Sequence, residues 1–206
     1  MLIKCIPLGG MGANCYVVAC DDTKEALVID PGGEPRPVLS FVEKEGLKVK
    51  YIVNTHGHID HIMGNDLLKQ ATGARVLIHE LDAEMLQNPR LNLSGFMGGS
   101  IKLAQADQLL TEGDTVEVGK VSLEVIHTPG HTRGGICLKG DGVVFTGDTL
   151  FSGSIGRSDF PGGSAETLIN SIKTKLLPLP DDTAVYPGHM QESTMGEEKK
   201  YNPFLR

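Results

Sequence analysis

The sequence predicts an α/β protein built as a four-layer αββα sandwich, with two mixed β-sheets face to face and helices outside. Three observations point there. Stretches that alternate with period two are interspersed with stretches that present one apolar helical face. The plan is roughly two-fold: each half runs strands, then a helix, then a strand that ends in histidine. Five of the seven histidines occupy strand ends or the loops after them, so the sandwich would gather them at one edge. A length of 206 residues suits one domain, residues 1–206, with a substantial core.

Taken in order, Leu2–Leu8, Cys15–Ala19 and Ala26–Ile29 read as strands. The Gly9–Gly12 cluster and the polar turn Asp21–Lys24 separate them. Asp30-Pro31-Gly32-Gly33 ends the third strand. Pro35 and Pro37 suit the first turn of a helix whose apolar face is Val38, Leu39, Phe41 and Val42, and Gly46 ends it. Tyr51–Val53 is a short strand. A second helix starts near Asp60 or His61, with Ile62, Met63, Leu67 and Leu68 on its buried side. Strand Arg75–Ile78 and a short helix Leu81–Leu86 follow. Residues 92–99 carry three glycines with Phe96 and Met97 and read equally as a lid or as an ordinary surface connection. Val116–Val118, Val121–Ile126, Gly135–Leu138 and Val143–Phe145 form a second run of strands. A helix from Ala165 to Leu176, a strand Thr183–Tyr186 and a charged, exposed helix from Glu192 to Lys200 complete the chain.

Composition excludes several functions. There is no run of eighteen apolar residues for a membrane span and no signal-peptide pattern, so a cytoplasmic location is expected. A net charge of −7 argues against nucleic-acid binding, which needs a basic face. Cys5, Cys15, Cys20 and Cys137 show no CxxC pairing and read as buried, reduced thiols.

The chemistry is concentrated in Thr55-His56-Gly57-His58-Ile59-Asp60-His61, directly after strand Tyr51–Val53. Buried imidazoles need hydrogen-bond partners and a buried carboxylate needs a cation, so four such groups together call for a metal. His56 and His58 point the same way on an extended segment, and the turn into a helix redirects Asp60 and His61, so one loop can serve two metals. His131 follows Pro129-Gly130, Asp148 follows Thr146-Gly147, and His189 follows Pro187-Gly188. His79 and His127 fit no ligand position and read as structural residues or as supports behind the ligands.

This set of residues, with Asp30 ending its strand, resembles the motif signature of the metallo-β-lactamase fold superfamily across nearly the whole chain. The resemblance implies that His56, His58 and His131 hold one divalent metal ion. Asp60, His61 and His189 then hold a second, and Asp148 and a hydroxide bridge the two. Asp30 supports the ligands from behind. Zinc is the natural metal for histidine-rich ligation, with iron or manganese as alternatives. Asp148 departs from the classical β-lactamases, which disfavours that activity. The segment Gly147–Gly163 is similar to the corresponding part of glyoxalase II, the hydroxyacylglutathione hydrolases. There a basic residue at the position of Arg157 holds a glutathione carboxylate; a loop salt bridge from Arg157 to Asp159 is the competing reading.

The resemblance therefore implies a dimetal thioesterase acting on S-2-hydroxyacylglutathione or a similar small-molecule thioester, with Asp60 and Asp148 catalytic. The C-terminal helical domain of full-length glyoxalase II is not expected. A mononuclear iron persulfide dioxygenase using His56, His131 and Asp148 is the redox alternative. A lactonase or esterase of the same fold and a non-catalytic metal-binding module are the others. The oligomeric state is left open.

Overall fold

The computed structural model describes all of residues 1–206. Its first sheet is formed by β1 (Leu2–Leu8), β2 (Ala13–Ala19), β3 (Glu25–Ile29), β4 (Lys48–Asn54), β5 (Arg75–His79) and β6 (Gln108–Leu110), paired in that order. The second sheet contains β7 (Thr115–Val118), β8 (Val121–His127), β9 (Ile136–Gly140), β10 (Val143–Gly147), β13 (Ala184–Pro187) and β14 (Ser193–Thr194), in the order β14-β13-β10-β9-β8-β7. Between β10 and β13 the chain forms a small separate hairpin, β11 (Leu150–Phe151) with β12 (Ser154–Ile155). Both large sheets are mixed: β1–β3 pair antiparallel and β3–β6 parallel, while in the second sheet only β10 and β13 run parallel.

The layers follow from period-two alternation. On β2, Tyr16 and Val18 point into a core shared with Leu123, Val125, Leu138 and Phe145 of the second sheet. The intervening Cys15, Val17 and Ala19 pack outward with Val38 and Val42 of α1 (Arg36–Glu45) and Leu68 of α3 (Asn65–Thr72). On the far side, Leu168 of α4 (Ala165–Ser171) and Ile172 and Leu176 of the π-helical turn after it cover Val144 and Val185. Four layers, helix–sheet–sheet–helix, result, as the sequence predicts.

Several elements differ from the sequence reading. The second helix is two pieces, α2 (Ile59–Ile62) and α3, broken at Gly64. A Cβ there would lie 2.4 Å from the Gly33 carbonyl oxygen and 2.6 Å from that of Pro31, so the chain can pass only as glycine. Met63 and Leu67, expected on the buried side, are exposed, because each is a helical step of about 100° away from a buried neighbour, Ile62 or Leu68. Leu81–Leu86 lies within a 3₁₀ segment, Glu80–Gln87. Cys5 is exposed because β1 is an edge strand; the other three cysteines are buried and all four are unpaired. The last helix, α5 (Met195–Tyr201), is not simply exposed. Met195 joins the core under α4, and the buried Glu198 carboxylate accepts from Ser193 Oγ, Asn202 Nδ2 and the Gly153 amide. No helix is long and apolar enough to cross a membrane.

Two registers position the functional loops. Ile29 pairs with Val53 in the parallel β3–β4 ladder, so Asp30 and Thr55 leave the first sheet side by side. Phe145 pairs with Tyr186 in the parallel β10–β13 ladder, so Asp148 and His189 leave the second sheet together.

Candidate metal centre

Asp30 ends β3 in the left-handed region, at φ 50°. That backbone is unusual for a residue other than glycine and is held here by the bonds its side chain makes. Asp30 Oδ1 accepts from the Thr55 amide at 2.7 Å, and Oδ2 accepts from Thr55 Oγ1 at 2.6 Å. The Nδ1–H of His61 donates to the same Oδ2 at 3.0 Å, which turns Nε2 of that ring toward the centre. His131 is oriented likewise: its Nδ1–H donates to the backbone carbonyl of Arg157 at 2.6 Å.

The structure brings all seven sequence-predicted residues into one cluster. In one group, His131 Nε2 lies 2.9 Å from His58 Nδ1 and 3.2 Å from His56 Nε2. In the other, His189 Nε2 lies 3.3 Å from His61 Nε2 and 3.1 Å from Asp60 Oδ2. Asp148 sits between them, with Oδ1 3.3 Å from His61 and Oδ2 3.6 Å from His131 and 3.8 Å from His189. Its placement depends on Gly188, where a Cβ would lie 2.4 Å from Asp148 Oδ1 and 2.8 Å from the His61 ring. The His56–His58–His131 and Asp60–His61–His189 groups each converge closely enough to hold a metal ion, as do Asp30, His56 and His61. We assign Asp30 a supporting position because its two oxygens are already occupied by Thr55 and His61.

The donors fit a divalent cation. Nitrogen ligands about 2.05 Å from a tetrahedral ion stand roughly 3.3 Å apart, close to the spacings seen here. Two buried polar atoms, His58 Nε2 and Asp148 Oδ1, hydrogen-bond to nothing in the protein. Burial holds His56 and His58 well below the usual imidazole range, so both are neutral donors at pH 7. His61 behaves oppositely: burial disfavours its charged form, but Asp148, Asp30 and Asp60 outweigh that and raise it to about 10. Burial also opposes ionisation of Asp60, yet its bond to His189 and the charges of His61 and His189 hold it below the ordinary carboxylate range. Without metal, His61 keeps a proton that a bound cation would displace, whereas His56 and His58 are already neutral.

Sequence reasoning missed several supports. Asp82 is buried and joins the two histidine loops of the first group: its carboxylate accepts from the Gly57 amide at 3.2 Å, Thr132 Oγ1 at 2.7 Å and the Gly134 amide at 2.7 Å. Asn14 Nδ2 donates to the carbonyls of Pro187 and Met190, and the Tyr16 hydroxyl also donates to Pro187, fixing the turn that carries His189. A lone acid or amide carries no spacing signal that could have revealed these. His79 and His127 stack on each other 4.2 Å apart, outside the cluster.

Above the cluster lies a cavity of about 550 Å³, lined by His58, Asp60, His131 and Asp148 below and by Phe160 and Arg157 at one side. Arg157 is exposed and pairs with Asp159 through two bonds of 2.9 and 2.7 Å while covering the Phe160 ring. Leu93, Phe96 and Met97 of the 92–99 loop also line the cavity. The loop's base is fixed by Asn92, whose side chain donates to the Met85 and Ile101 carbonyls and whose backbone carbonyl accepts from the Ile59 amide; its tips, Phe96 and Met97, are exposed.

Residues 8–189 match the family model of the metallo-beta-lactamase superfamily. The chain belongs to the metallo-beta-lactamase superfamily. Within it, the chain is 40% identical to hydroxyacylglutathione hydrolase GloC of Haemophilus influenzae, covering 100% of this chain and 98% of that one. Its fold superposes on the crystal structure of BLEG-1 B3 metallo-beta-lactamase with a TM-score of 0.95 and 39% identity, over 99% of each chain. It superposes on TTHA1623 in a di-iron-bound form with a TM-score of 0.88 and 35% identity, over 98% of this chain and 100% of that one. These likenesses and the His/Asp groups identify a metal-dependent hydrolase of this superfamily.

Proposed function

We propose that the chain is a dimetal thioesterase of glyoxalase II type, acting on S-2-hydroxyacylglutathione or a related thioester. The observation that carries this reading is the cavity in which Asp60 and Asp148 face the same space as the Arg157 guanidinium, in a chain akin to GloC along its whole length. His56, His58 and His131 would hold one cation, Asp60, His61 and His189 the other, and Asp148 both. Zinc suits this donor set, and the di-iron form of TTHA1623 supports iron equally. When bound, such ions polarise a carbonyl and supply water deprotonated near neutral pH.

The chain's own residues do the rest. Asp60, held ionised, accepts the proton that the attacking water releases. Asp30 and the Arg157 carbonyl hold Nδ1–H of His61 and His131, so Nε2 of each is the nitrogen left to face a cation. Arg157 meets a carboxylate of the thiol portion by exchanging Asp159 for it; an exposed ion pair is held weakly enough for that exchange. Phe160 and residues of the 92–99 loop line the cavity with apolar surface. The thiolate leaves without a strong acid, since thiols ionise near pH ~8.5.

The decisive experiment is a panel of thioesters on the metal-loaded protein, including S-lactoylglutathione and thioesters of other thiols. Inactivity on all of them would remove this reading. His58→Ala and Asp148→Asn should stay folded and lose turnover, and retained hydrolysis by both would sink the metal mechanism. Arg157→Ala should raise KM for glutathione thioesters and leave thioesters of an uncharged thiol unaffected. The likeness to BLEG-1 favours β-lactam hydrolysis as a second reading, because the same apparatus can attack a cyclic amide. A β-lactam in the panel decides between them.

A further inference from the structure

The reaction cavity has a second branch with a different character. A groove of about 440 Å³ adjoins it, and Met11, Ile59, Asp60 and Met97 belong to both. Arg157 lines the cavity but not the groove, whose walls come from the Gly9–Met11 turn and the 92–99 loop, with Met63 and Ile101. Asp60 is its one charged lining residue and also belongs to the cluster with His61 and His189.

Three of the chain's seven methionines line this groove. Met11, Met63 and Met97 are 48%, 41% and 59% exposed, so they are not core packing. Thioether side chains are flexible and polarisable and adapt to apolar ligands of varied shape. Gly9, Gly10 and Gly32 contribute no side chain to the groove's lining, and Gly32 packs so closely on the Asp60 carbonyl that a Cβ there would lie 1.5 Å from its oxygen. The two branches thus differ in chemistry. One ends at a cation beside an aromatic ring, the other is apolar, and they meet at Asp60, within hydrogen-bond distance of His189.

We infer that the methionine groove is an acyl subsite, and that the protein takes thioesters whose acyl group carries an apolar chain, with the polar thiol portion on the Arg157 side. A thioester has two arms on one carbonyl carbon. With the carbonyl at the cluster and the thiol arm toward Arg157, the acyl arm lies along Met11, Met97 and Met63. Acetyl-sized and lactoyl-sized acyl groups leave the groove empty, and longer chains displace water from it. This inference rests on the thioesterase reading for the identity of the ligand and adds the acyl class to it.

The test uses S-alkylglutathiones, thioethers that cannot be hydrolysed, from methyl through butyl and hexyl to octyl, titrated calorimetrically into the metal-loaded protein. Affinity should rise roughly two- to four-fold per buried methylene; the upper value is the ~0.8 kcal/mol of one CH₂ converted at ~1.36 kcal/mol per decade. Met63→Glu and Met97→Ser, both at exposed positions, should flatten the series. Equal affinity for methyl and octyl compounds, no binding at all, or a slope unchanged in both variants would overturn the subsite. A parallel series of S-acylglutathiones separates the two ideas. Chain-length-dependent binding without thioester turnover leaves the subsite standing and sinks the thioesterase reading. Turnover of short and long acyl thioesters alike, with flat binding, does the reverse.

Discussion

Asp30→Asn isolates the role of a residue that touches no proposed substrate. Asp30 Oδ1 faces the Thr55 amide, which can only donate, so the amide oxygen of the substituted side chain must stay there. The new NH₂ group then occupies the Oδ2 position, facing Thr55 Oγ1 and His61 Nδ1. Thr55 can turn its hydroxyl to accept. His61 can accept only by moving its proton to Nε2, the atom directed at His189 and Asp148. The substitution is nearly isosteric, yet the ring now presents N–H where a ligand nitrogen is needed. Changes behind a metal-binding histidine typically cost ~10–100-fold in metal affinity, or about 1.4–2.7 kcal/mol. Replacing charge-assisted bonds with neutral ones costs roughly 1–2 kcal/mol of stability, which for a chain of this size lowers Tm by about 2–8 °C. Chelator competition with metal counting per chain measures the first effect. The ion shared by Asp60, His61 and His189 should be lost selectively, while the three-histidine group keeps its ion. If the Asp30→Asn protein holds both ions with affinities within about two-fold of the parent, well inside the expected ~10–100-fold loss, the tautomer reasoning is wrong.

Asp82→Asn should destabilise the fold by about 2–3 kcal/mol, because one of three buried donors then faces an amide NH₂. Denaturant unfolding checks this as a lower midpoint at unchanged slope. Gly188→Ala drives a methyl group against Asp148 and His61 and should cost about 1–3 kcal/mol, with metal content below that of the parent; full metal occupancy would contradict it. In chelator-treated protein, the raised folded-state pKa of His61 makes its contribution to stability complete below about pH 6.5 and lost as pH climbs toward about 10. Tm of the metal-free protein should therefore fall between about pH 7 and about pH 9.5, while metal-loaded protein, in which the cation replaces the proton, should lack that component. Parallel slopes for the two forms would count against the assignment.

The large elements and the ligand cluster are legible in the sequence because each carries a periodic or spaced signal. Strand alternation places β1–β5 and β7–β10, and the strand–glycine–ligand pattern picks out His131, Asp148 and His189 without knowledge of their neighbours in space. What escapes lacks such a pattern. β6 is three residues long, and the hairpin of β11 and β12 has two residues per strand. The break between α2 and α3 comes from the Pro31–Gly33 backbone, a contact distant in sequence from Gly64. Asp82 and Asn14 act by bonding backbone atoms of loops far along the chain, so their importance exists only in three dimensions. Arg157 pairs with Asp159, as its salt-bridge reading has it, and also lines the cavity, where its role toward a substrate is a proposal.

The converging loops come from different sheets: His56, His58, Asp60 and His61 follow β4, whereas His131, Asp148 and His189 follow β8, β10 and β13. Cations held between them would act as clasps joining the two halves at their open edge. Such cross-links close very long chain loops, and restraining a long loop removes much conformational freedom from the unfolded chain. Cation loading would then be a mechanical property of the sandwich as well as a chemical one. Emptied of metal, the two sheets would keep their shared apolar core and the bonds that Asp82 and Asn14 make across the rim, and would lose only the tie the cations add.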